Sequence, residues 1–426
     1  MPACPAFLVA APASGQGKTT VVAALARLHT RLGRRVRVFK CGPDFLDPQI
    51  HAVASGAPCQ NVDLWMCGED DIAWRLADAA RNADLILVEG VMGLFDGTPS
   101  AAELARRLGL PILAVIDGAS MANSFGAIAF GLKHYQPGTP LGAVFANRVG
   151  SDYHAELLEK SLPLDIAWYG YLPRDAGAAL PARHLGLLPA AEIEGLARRI
   201  ECMADWLAAT AAARLPPPVE FRDVPPLAMP PLLRGKTIAV ARDAAFCFLY
   251  PANVDCLERL GAELVYFSPL VDAALPPCDA VWLPGGYPEL HGPALAANRA
   301  LWAQLAAHVD AGGPLLAECG GMMALFDSLR DVGGGEFPLA GLLPGKVAMQ
   351  KKLAGLGMQE VALPEGVLRG HAFHYSRTET PLAPLCAARR PDGRDGEVVY
   401  RQQRLTASYM HLYFPSNPQA VAMLFT

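Results

Sequence analysis

The sequence lacks the features of several classes of protein. Its ten cysteines include no Cys-x-x-Cys pair, so their spacing argues against a metal cluster or a disulfide framework. No apolar run reaches the roughly 18 residues that a membrane-spanning helix needs, and no basic segment precedes the apolar start of the chain, which argues against a signal peptide. Positive charge is not in excess: the net charge is -5 and the pI is near 6.1. We therefore expect a cytoplasmic protein that binds neither a membrane nor nucleic acid.

The sequence is long and rich in apolar residues. The 426 residues are 52% hydrophobic and 18% charged, a balance that is typical of folded domains and a length that suits two or three of them. The segment from Arg214 to Arg234 contains seven prolines and no helical or strand periodicity, which is typical of a linker. We therefore predict a first domain over residues 1–213, a linker over 214–234 and a second domain over 235–426.

Short apolar strands alternate with helices in both predicted domains. In the first domain we predict strands over residues 7–11, 35–40, 85–89, 112–117 and 142–147, with a helix over 19–32. In the second we predict strands over 237–241, 263–267, 280–283, 314–317, 396–400 and 405–410, with a helix over 253–260. Continuous apolar strands separated by helices are typical of parallel sheets covered on both faces. The predicted class is therefore α/β in both domains, with ligands bound at the carboxyl ends of the strands.

The segment Ala13–Thr20 reads Ala-Ser-Gly-Gln-Gly-Lys-Thr-Thr and lies between a predicted strand and a predicted helix. Glycines let backbone amides point at phosphate, a lysine adds positive charge, and a threonine hydroxyl can bind magnesium. Pro12 stands where the first glycine of the standard phosphate-binding loop would be. The segment nevertheless predicts an ATP site. Its predicted nucleotide-binding residues are Gly15, Gln16, Gly17, Lys18, Thr19 and Thr20.

Carboxylates follow the second and third strands of the first predicted domain. Asp44 comes after the second strand, and Glu89 and Asp96 come at and after the end of the third, in glycine-rich segments. Each could be an ordinary turn residue, but three such residues facing a phosphate site favour a functional role. Because magnesium prefers a few carboxylates together with phosphate oxygens and water, we predict that Thr19, Asp44 and Glu89 bind it. Asp96 is predicted to position the phosphate or the substrate.

Two polar residues close later strands of the same predicted sheet. Asn147 ends one strand, and its amide could read the edge of adenine because one side chain offers both a donor and an acceptor. A strand-end cap explains Asn147 equally well. Asp117, at the end of the preceding strand, leaves the same two alternatives.

A second chemical signature lies far downstream. Cys319 stands in Ala-Glu-Cys-Gly-Gly-Met-Met, after a predicted strand and before a helix start. Small neighbours permit the tight turn on which a nucleophile is exposed, and a helix N-terminus favours the thiolate. Gly320 and Gly286, the latter in a second strand-end glycine loop, are predicted to supply the amides of an oxyanion hole.

A catalytic cysteine needs a base, and three histidines are available in the second predicted domain. His411 closes a predicted strand and is the candidate base. His371 and His374 compete with it for that role. A phosphate loop together with a Cys-His pair predicts an enzyme that activates a carboxylate with ATP and takes ammonia from glutamine.

The motifs also carry a family resemblance. The chain resembles the cobyrinate and hydrogenobyrinate a,c-diamide synthases over essentially its whole length. The segments that carry this resemblance are Lys40–Pro48, Asn61–Met66, Val88–Gly97, Arg183–Leu187, Ala241–Phe248, Gly285–Leu290, Glu318–Met322 and Gly370–Ser376.

The resemblance implies a fold and a reaction. The fold is an N-terminal phosphate-loop ATPase domain, similar to dethiobiotin synthetase, followed by a class I glutamine amidotransferase domain. The reaction is the amidation of the a and c acetate side chains of a corrin, with ATP and magnesium as cofactors and two molecules of L-glutamine as the nitrogen source. A homodimer is the plausible assembly.

The resemblance also assigns residues. It makes Cys319 the nucleophile and His411 its activating histidine. The remaining assignments are Asp44, Glu89 and Asp96 for metal binding and carboxylate activation, and Phe45 and Leu46 for contact with the corrin. Many class I amidotransferases carry a glutamate two residues after the histidine, where this chain has Tyr413. The third member of a triad is thus left open, and a Cys-His dyad is the alternative.

Other functions stay open beside this one. Cobyric acid synthase, which amidates other corrin side chains, and Ni-sirohydrochlorin a,c-diamide synthase are rivals within the same enzyme class. A different class is a regulatory phosphate-loop ATPase with a degenerate amidotransferase tail, but such a switch would not need Cys319 and His411 together. The sequence also leaves open whether the corrin carries cobalt.

Overall fold

The chain folds into two compact units, residues Met1–Pro226 and Leu227–Thr426. The structure is a computed structural model and describes residues 1–175, 180, 182–183, 186–187 and 189–426. The motif Arg183–Leu187 includes His184 and Leu185, which lie outside the described residues. No helix within the described ranges combines the length and the apolar character needed to cross a membrane.

The first unit alternates strands and helices along the chain. Its strands are β1 (Ala3–Ala10), β2 (Val36–Cys41), β3 (Gln60–Val62), β4 (Leu85–Glu89), β5 (Ile112–Asp117), β6 (Leu141–Val149), β7 (Ala167–Pro173), β8 (Ala182–Arg183), β9 (Gly186–Leu187) and β10 (Pro218–Glu220). Its helices are α1 (Lys18–Arg31), α2 (Asp47–Ser55), α3 (Glu69–Asn82), α4 (Ala101–Leu108), α5 (Ser124–His134), α6 (Asp152–Lys160) and α7 (Leu196–Leu207), with 3-10 turns at Ala190–Glu192 and Ala211–Ala213.

A parallel sheet in the order β3-β2-β4-β1-β5-β6-β7 forms the centre of the first unit. Its strands are apolar because helices cover them, and α1 and α7 pack on one face of the sheet through buried aliphatic side chains. The five strands and the helix predicted for this domain are confirmed. Since β1, β2 and β4 are neighbours, the segments that follow them meet at one edge of the sheet.

The proline-rich segment is attached at both ends. Strand β10 pairs antiparallel with the start of β1, Ala3 opposite Glu220, and Arg222 forms an ion pair with Asp70. Further along, Leu233 is completely buried in the core of the second unit. The segment predicted as a linker is thus shared between the two units, and the boundary falls between Pro226 and Leu227. The reason is that its side chains contact residues of the first unit before this boundary and residues of the second unit after it.

The second unit is richer in strands. They are β11 (Thr237–Ala241), β12 (Glu263–Phe267), β13 (Ala280–Leu283), β14 (Leu315–Glu318), β15 (Phe326–Arg330), β16 (Glu336–Pro338), β17 (Leu343–Met349), β18 (Gly355–Leu363), β19 (Gly366–His374), β20 (Ser376–Glu379), β21 (Cys386–Arg389), β22 (Asp395–Gln402), β23 (Leu405–Ser408) and β24 (His411–Leu412). The helices are α8 (Pro251–Arg259), α9 (Gly292–Ala297), α10 (Arg299–Asp310), α11 (Gly320–Met323) and α12 (Pro418–Leu424), with 3-10 turns at Pro288–Leu290 and Phe414–Ser416.

The large sheet of this unit runs in the order β12-β11-β13-β14-β23-β22-β21-β18-β19-β24. Its first five strands are parallel, and β22 continues it antiparallel from β23. A smaller sheet follows the order β16-β15-β17-β20. The predicted strands and the predicted helix are confirmed, whereas the strands β15 to β21 were not predicted. Cys319 follows β14, in the middle of the parallel part.

Candidate functional site

The phosphate loop joins β1 to α1 in the first unit. Gly15 and Gly17 adopt left-handed φ angles of 78° and 93°, a backbone form in which neighbouring amides can converge on an anion. A Cβ on Gly17 would lie 2.1 Å from Nδ2 of Asn147, so this position requires glycine. Nδ2 of Asn147 donates a hydrogen bond of 2.8 Å to the carbonyl of Gln16. The phosphate loop is therefore supported by β6, a strand that lies more than a hundred residues later in the sequence.

Lys18 is the first residue of α1 and is buried. Its Nζ donates a hydrogen bond of 2.5 Å to the carbonyl of Met92, in the segment after β4. Burial lowers the pKa of Lys18, and the nearby carboxylate of Glu89 opposes that effect. The contact places the lysine between the phosphate loop and the segment that carries Asp96.

A buried ionic cluster lies beneath the phosphate loop. Oε1 of Glu89 accepts hydrogen bonds from Oγ1 of Thr19 at 2.8 Å and from Nζ of Lys40 at 3.1 Å. Lys40 also donates to Oδ2 of Asp47 at 2.6 Å, and Nε2 of His51 contacts Oε2 of Glu89. No role was predicted from the sequence for Lys40, Asp47 or His51. The available signal for Lys40 was a charged residue near the carboxyl end of β2, the end at which ligands bind in such sheets.

The contacts within the cluster determine the ionisation states of Lys40 and Glu89. Burial alone would lower the pKa of Lys40, but the carboxylates of Glu89, Asp47 and Asp44 raise it well above its ordinary value. Burial would likewise raise the pKa of Glu89, but Lys40 and His51 hold it below its ordinary value. Lys40 is therefore cationic and Glu89 anionic at neutral pH.

The other predicted carboxylates are more accessible. Oδ1 of Asp44 accepts hydrogen bonds from the amides of Leu46 and Asp47 at 2.8 and 3.2 Å, while Oδ2 lies 3.7 Å from Nζ of Lys40. The side chain of Asp44 is 30% exposed. Asp96 is exposed, and its Oδ2 accepts a hydrogen bond of 3.0 Å from the amide of Gly93.

The two residues predicted to contact the corrin follow Asp44 directly. Phe45 is buried and Leu46 is half-buried at the start of α2. Leu46 is thus the more accessible of the pair.

The predicted magnesium ligands fit an ion that is held mainly by phosphate oxygens. Among the described residues, no group of three or more His, Cys, Asp or Glu side chains is arranged to hold a metal by itself. Magnesium, however, usually keeps several waters and takes one or two carboxylates together with phosphate oxygens. Thr19 and the half-exposed Asp44 suit that mode. Glu89 is completely buried and already accepts hydrogen bonds from Thr19 and Lys40.

A cavity of about 390 Å³ lies next to the phosphate loop. It is lined by residues from α1, from the ends of β5 to β7 and from α7, among them Thr20, Asp117, Asn147, Pro173 and Trp206. Oδ2 of Asp117 pairs with Nη1 of Arg148 at 2.5 Å. The volume falls in the range of small-molecule pockets, and its place beside the loop suits a nucleobase.

The second candidate centre is the turn at Cys319. This residue has φ 45° and ψ -107°, a strained conformation that a residue other than glycine rarely adopts. A Cβ on Gly320 would lie 2.9 Å from the amide nitrogen of Gly286, and one on Gly321 would lie 2.2 Å from the carbonyl of Leu283. Because Gly320 and Gly321 have no side chains, the turn at Cys319 can lie directly against the segment that contains Gly286, which is predicted to supply the other amide of the oxyanion hole.

His411 lies against the same glycine turn. A Cβ on Gly285 would be 2.2 Å from Cε1 of His411, so the imidazole packs directly on that residue. Because Gly320 meets Gly286 and His411 meets Gly285, the structure brings the predicted nucleophile turn, oxyanion amides and base to one place. Burial raises the pKa of the Cys319 thiol, with Glu289 adding to the effect. The cysteine is therefore a thiol until a base takes its proton.

Each of the competing histidines has polar or aromatic partners other than the cysteine. Nδ1 of His371 lies 3.0 Å from the hydroxyl of Tyr250. The ring of His374 stacks on Tyr409 with centroids 3.7 Å apart, and its Nε2 lies 3.2 Å from Oε1 of Glu397. These contacts favour His411 as the base.

One buried carboxylate at this centre had no predicted role. Oε1 of Glu318 accepts a hydrogen bond of 2.7 Å from the amide of Leu412, and its Oε2 accepts one of 2.9 Å from Nε1 of Trp282. Burial raises the pKa of Glu318, whereas the hydrogen bonds from Leu412 and Trp282 favour its charged form. The signal in the sequence was an acidic residue between an apolar strand and the nucleophile.

Two protein-family models match the chain, one in each unit. Residues 7–188 match the CobQ/CobB/MinD/ParA nucleotide binding domain. Residues 237–419 match the CobB/CobQ-like glutamine amidotransferase domain. Together with the sheets described above, these matches confirm the predicted α/β class and the order of the two domains.

Curated relatives match nearly the whole chain. Hydrogenobyrinate a,c-diamide synthase from Stutzerimonas stutzeri is 58% identical over 422 residues, covering 99% of this chain and 98% of the relative. The protein of the same name from Pseudomonas aeruginosa is also 58% identical and covers 99% and 97%. Cobyrinate a,c-diamide synthase from Herminiimonas arsenicoxydans is 49% identical and covers 99% and 96%.

Proposed function

The chain belongs to the family of cobyrinate and hydrogenobyrinate a,c-diamide synthases, and we propose that it amidates the a and c acetate carboxylates of a corrin with ATP and glutamine. The observation that carries the proposal is that one chain holds both a phosphate loop, with Lys18 at the start of its helix, and a strained cysteine turn packed on the glycine turn that contacts His411. The corrin substrate is cobyrinate or hydrogenobyrinate.

The first unit would activate the carboxylate. The loop from Gly15 to Thr20 binds the phosphates of ATP, and the cavity bounded by Asp117 and Asn147 takes the base. A magnesium ion bound by Thr19 and Asp44 would neutralise charge on the phosphates. Lys18 supplies a further positive charge where the substrate carboxylate attacks the γ-phosphate, which forms an acyl phosphate and releases ADP.

The remaining residues of this centre would orient its reactants. Lys40 and His51 keep Glu89 anionic, and Glu89 in turn fixes the hydroxyl of Thr19. Asp96, exposed beside the Met92 carbonyl that receives Lys18, is placed to position the phosphate or the acetate group. Leu46, the more accessible of the two residues predicted to contact the corrin, offers an apolar contact to its periphery, whereas Phe45 is buried.

The second unit would release ammonia from glutamine. His411 takes the thiol proton of Cys319, and the thiolate attacks the side-chain amide of glutamine. The amides of Gly286 and Gly320 donate to the oxyanion. The protonated His411 returns the proton to the leaving nitrogen, ammonia departs, and water hydrolyses the thioester. Ammonia then displaces phosphate from the acyl phosphate.

Mass spectrometry of the corrin tests the proposal. Purified enzyme is incubated with ATP, magnesium, glutamine and either cobalt-bearing or cobalt-free corrin, and the expected product carries two new amides, located on the a and c acetates by fragmentation. Amides on other side chains would instead indicate the activity of cobyric acid synthase. Activity on a nickel sirohydrochlorin alone would indicate the other rival.

Two variants test the division of labour. Cys319→Ala should abolish synthesis with glutamine yet keep it with added ammonium, whereas Lys18→Ala should lose both. The exposed Cys202 provides a matched control, and Cys202→Ala should behave as the unmodified enzyme. Loss of ammonium-dependent synthesis in Cys319→Ala would contradict the proposal. A homodimer and a cytoplasmic location remain predictions.

A further inference from the structure

The residue two positions after the candidate base is a neutral aromatic. Tyr413 is completely buried and packs edge-to-face on Tyr250, with ring centroids 5.9 Å apart. It therefore supplies no carboxylate to orient His411. The position of the imidazole must depend on other contacts of the strand that carries it.

The sheet joins the two strands that carry the catalytic pair only indirectly, through β23, which pairs with β14 and ends at Ser408, three residues before His411. Strand β14, which leads to Cys319, pairs with β13 and β23. Strand β24, which starts at His411, pairs with β19 at the far end of the strand order. A side chain that bridges β14 and β24 would thus set the base relative to the nucleophile.

Glu318 is that bridge. It is the residue immediately before Cys319, and its Oε1 accepts a hydrogen bond of 2.7 Å from the amide of Leu412, the residue immediately after His411. The side chain is 2% exposed, and its other oxygen is occupied by Nε1 of Trp282 at 2.9 Å. A buried carboxylate is costly unless donors meet it. Here one donor is the backbone of β24 next to His411, and the other is the indole of Trp282 on β13.

Asn253 holds the same residue, Leu412, through its carbonyl group. Its Nδ2 donates to the carbonyl of Leu412 at 2.7 Å, and its Oδ1 accepts from the amide of Phe414 at 2.8 Å. Both polar groups of Leu412 are therefore tied to buried side chains, so the backbone next to His411 has a defined place.

We propose that Glu318 is a positioning residue of the glutaminase centre: its carboxylate ties the peptide after His411 to the strand that ends at Cys319 and so takes over the orienting role that a triad carboxylate would have. The proposal rests on the proposed glutaminase function of Cys319 and His411. Glu318 itself does not touch glutamine in this mechanism.

Glu318→Gln is the most informative substitution. Its amide can offer an oxygen to only one of the two donors, so its NH₂ group must face either the amide of Leu412 or the indole N–H of Trp282. We expect glutaminase kcat to fall by roughly 10- to 100-fold, because small displacements of a catalytic group have effects of that size. The KM for glutamine should change by less than about threefold, since the glutamine contacts are not altered.

A second substitution separates positioning from general damage. Trp282→Phe removes the indole donor but leaves the hydrogen bond to Leu412, so its glutaminase kcat should stay close to that of the unmodified enzyme. In the double variant Glu318→Gln/Trp282→Phe, the amide oxygen is free to turn to Leu412. The double variant should therefore recover much of the kcat that Glu318→Gln loses.

The assays are glutaminase turnover, ammonium-dependent synthesis and thermal unfolding of the full-length chain. Ammonium-dependent synthesis should be unaffected in all three variants. A Glu318→Gln enzyme with glutaminase kcat within twofold of the unmodified value would overturn the inference, as would a double variant no better than the single one. If Glu318→Gln does not fold, Glu318→Asp replaces it, because its carboxylate is one methylene too short, and an unchanged kcat would be equally adverse. An unmodified enzyme without glutaminase activity would instead refute the proposed function.

Discussion

The imidazoles of His371 and His411 lie almost parallel, with ring centroids 4.9 Å apart and planes inclined by 19°. The two residues are directly opposed in the pairing of β19 with β24. Burial lowers the pKa of His371 to about 3, and burial together with His371 and His374 lowers that of His411 well below its ordinary value. Both rings are therefore neutral at neutral pH, which leaves His411 able to accept a proton.

Because His371 and His411 are buried as neutral rings, we predict that the free energy of unfolding falls in mild acid. An unfolded histidine takes up a proton as the pH falls through about 6.5, whereas folded His371 does so only near pH 3. The unfolded state thus binds more protons in this window, and the free energy of unfolding falls as the pH falls. Between pH 7 and pH 5, His371 alone should account for about 2 kcal/mol of that loss.

The comparison variant is His371→Gln, which cannot titrate. Urea denaturation at both pH values, with hydrogen exchange of the β19 amides followed by mass spectrometry, measures the change in stability of this sheet. The difference between pH 7 and pH 5 should be smaller in the variant by about 2 kcal/mol. Equal differences in the two proteins would mean that His371 is not held neutral by burial.

The contact between Gly285 and His411 predicts a selective loss of glutaminase. In Gly285→Ala the added Cβ would lie 2.2 Å from Cε1 of His411, and the ring must move. We expect glutaminase turnover to fall by roughly 100-fold, with ammonium-dependent synthesis retained.

A glycine in open space provides the control for that substitution. A Cβ on Gly131 would meet no described atom within 4 Å, and Gly131→Ala should leave both activities unchanged. Full glutaminase activity in Gly285→Ala would show that the place of the imidazole is not critical.

We predict that replacing Lys40 strongly lowers the stability of the first unit. Lys40→Met leaves the buried carboxylates of Glu89 and Asp47 without their shared cation. Removing one partner of a buried ion pair typically costs about 3–5 kcal/mol, and synthesis should be lost with glutamine and with ammonium alike. Thermal and urea unfolding measure the first effect, and product analysis the second.

An exposed lysine serves as the matched control. Lys236 pairs with Asp279 at 3.3 Å with both side chains about two-fifths exposed, and Lys236→Met should change stability by less than about 1 kcal/mol. A Lys40→Met protein as stable as this control would argue that the cluster does not depend on its cation.

The sequence leaves Asn147 either as a residue that reads adenine or as a strand-end cap, and a substitution can separate a role in reading the base from a structural one. Its Nδ2 supports the phosphate loop through the carbonyl of Gln16. If that support is its main role, Asn147→Ala should raise the KM for ATP and for GTP by similar factors. If it reads adenine, the variant should lose its preference for ATP over GTP while the KM for GTP changes little. Steady-state kinetics with both nucleotides distinguishes the two outcomes.

The strands around the two centres could be predicted because their signals are local. Buried parallel strands such as β4 and β5 are continuous apolar runs, and β1 and β14 end at glycine-rich turns whose chemistry is specific. The strands β15 to β21 were missed, since they are partly exposed and mixed in polarity. The attachment of β10 to β1 was missed because three prolines obscure a strand of three residues that pairs with a distant one.

The sequence by itself determined which chemistry each end of the chain carries. Gly17 precedes Lys18 and Cys319 precedes Gly320, and a loop that binds phosphate or exposes a thiol depends on such adjacent residues. Only the tertiary structure decided what surrounds these groups. Glu318 meets Leu412 across 94 positions of sequence, and Lys40 meets Glu89 across 49. The reason is physical: hydrogen bonds and ion pairs between strands depend on which strands become neighbours, and the packing of the whole sheet determines that order.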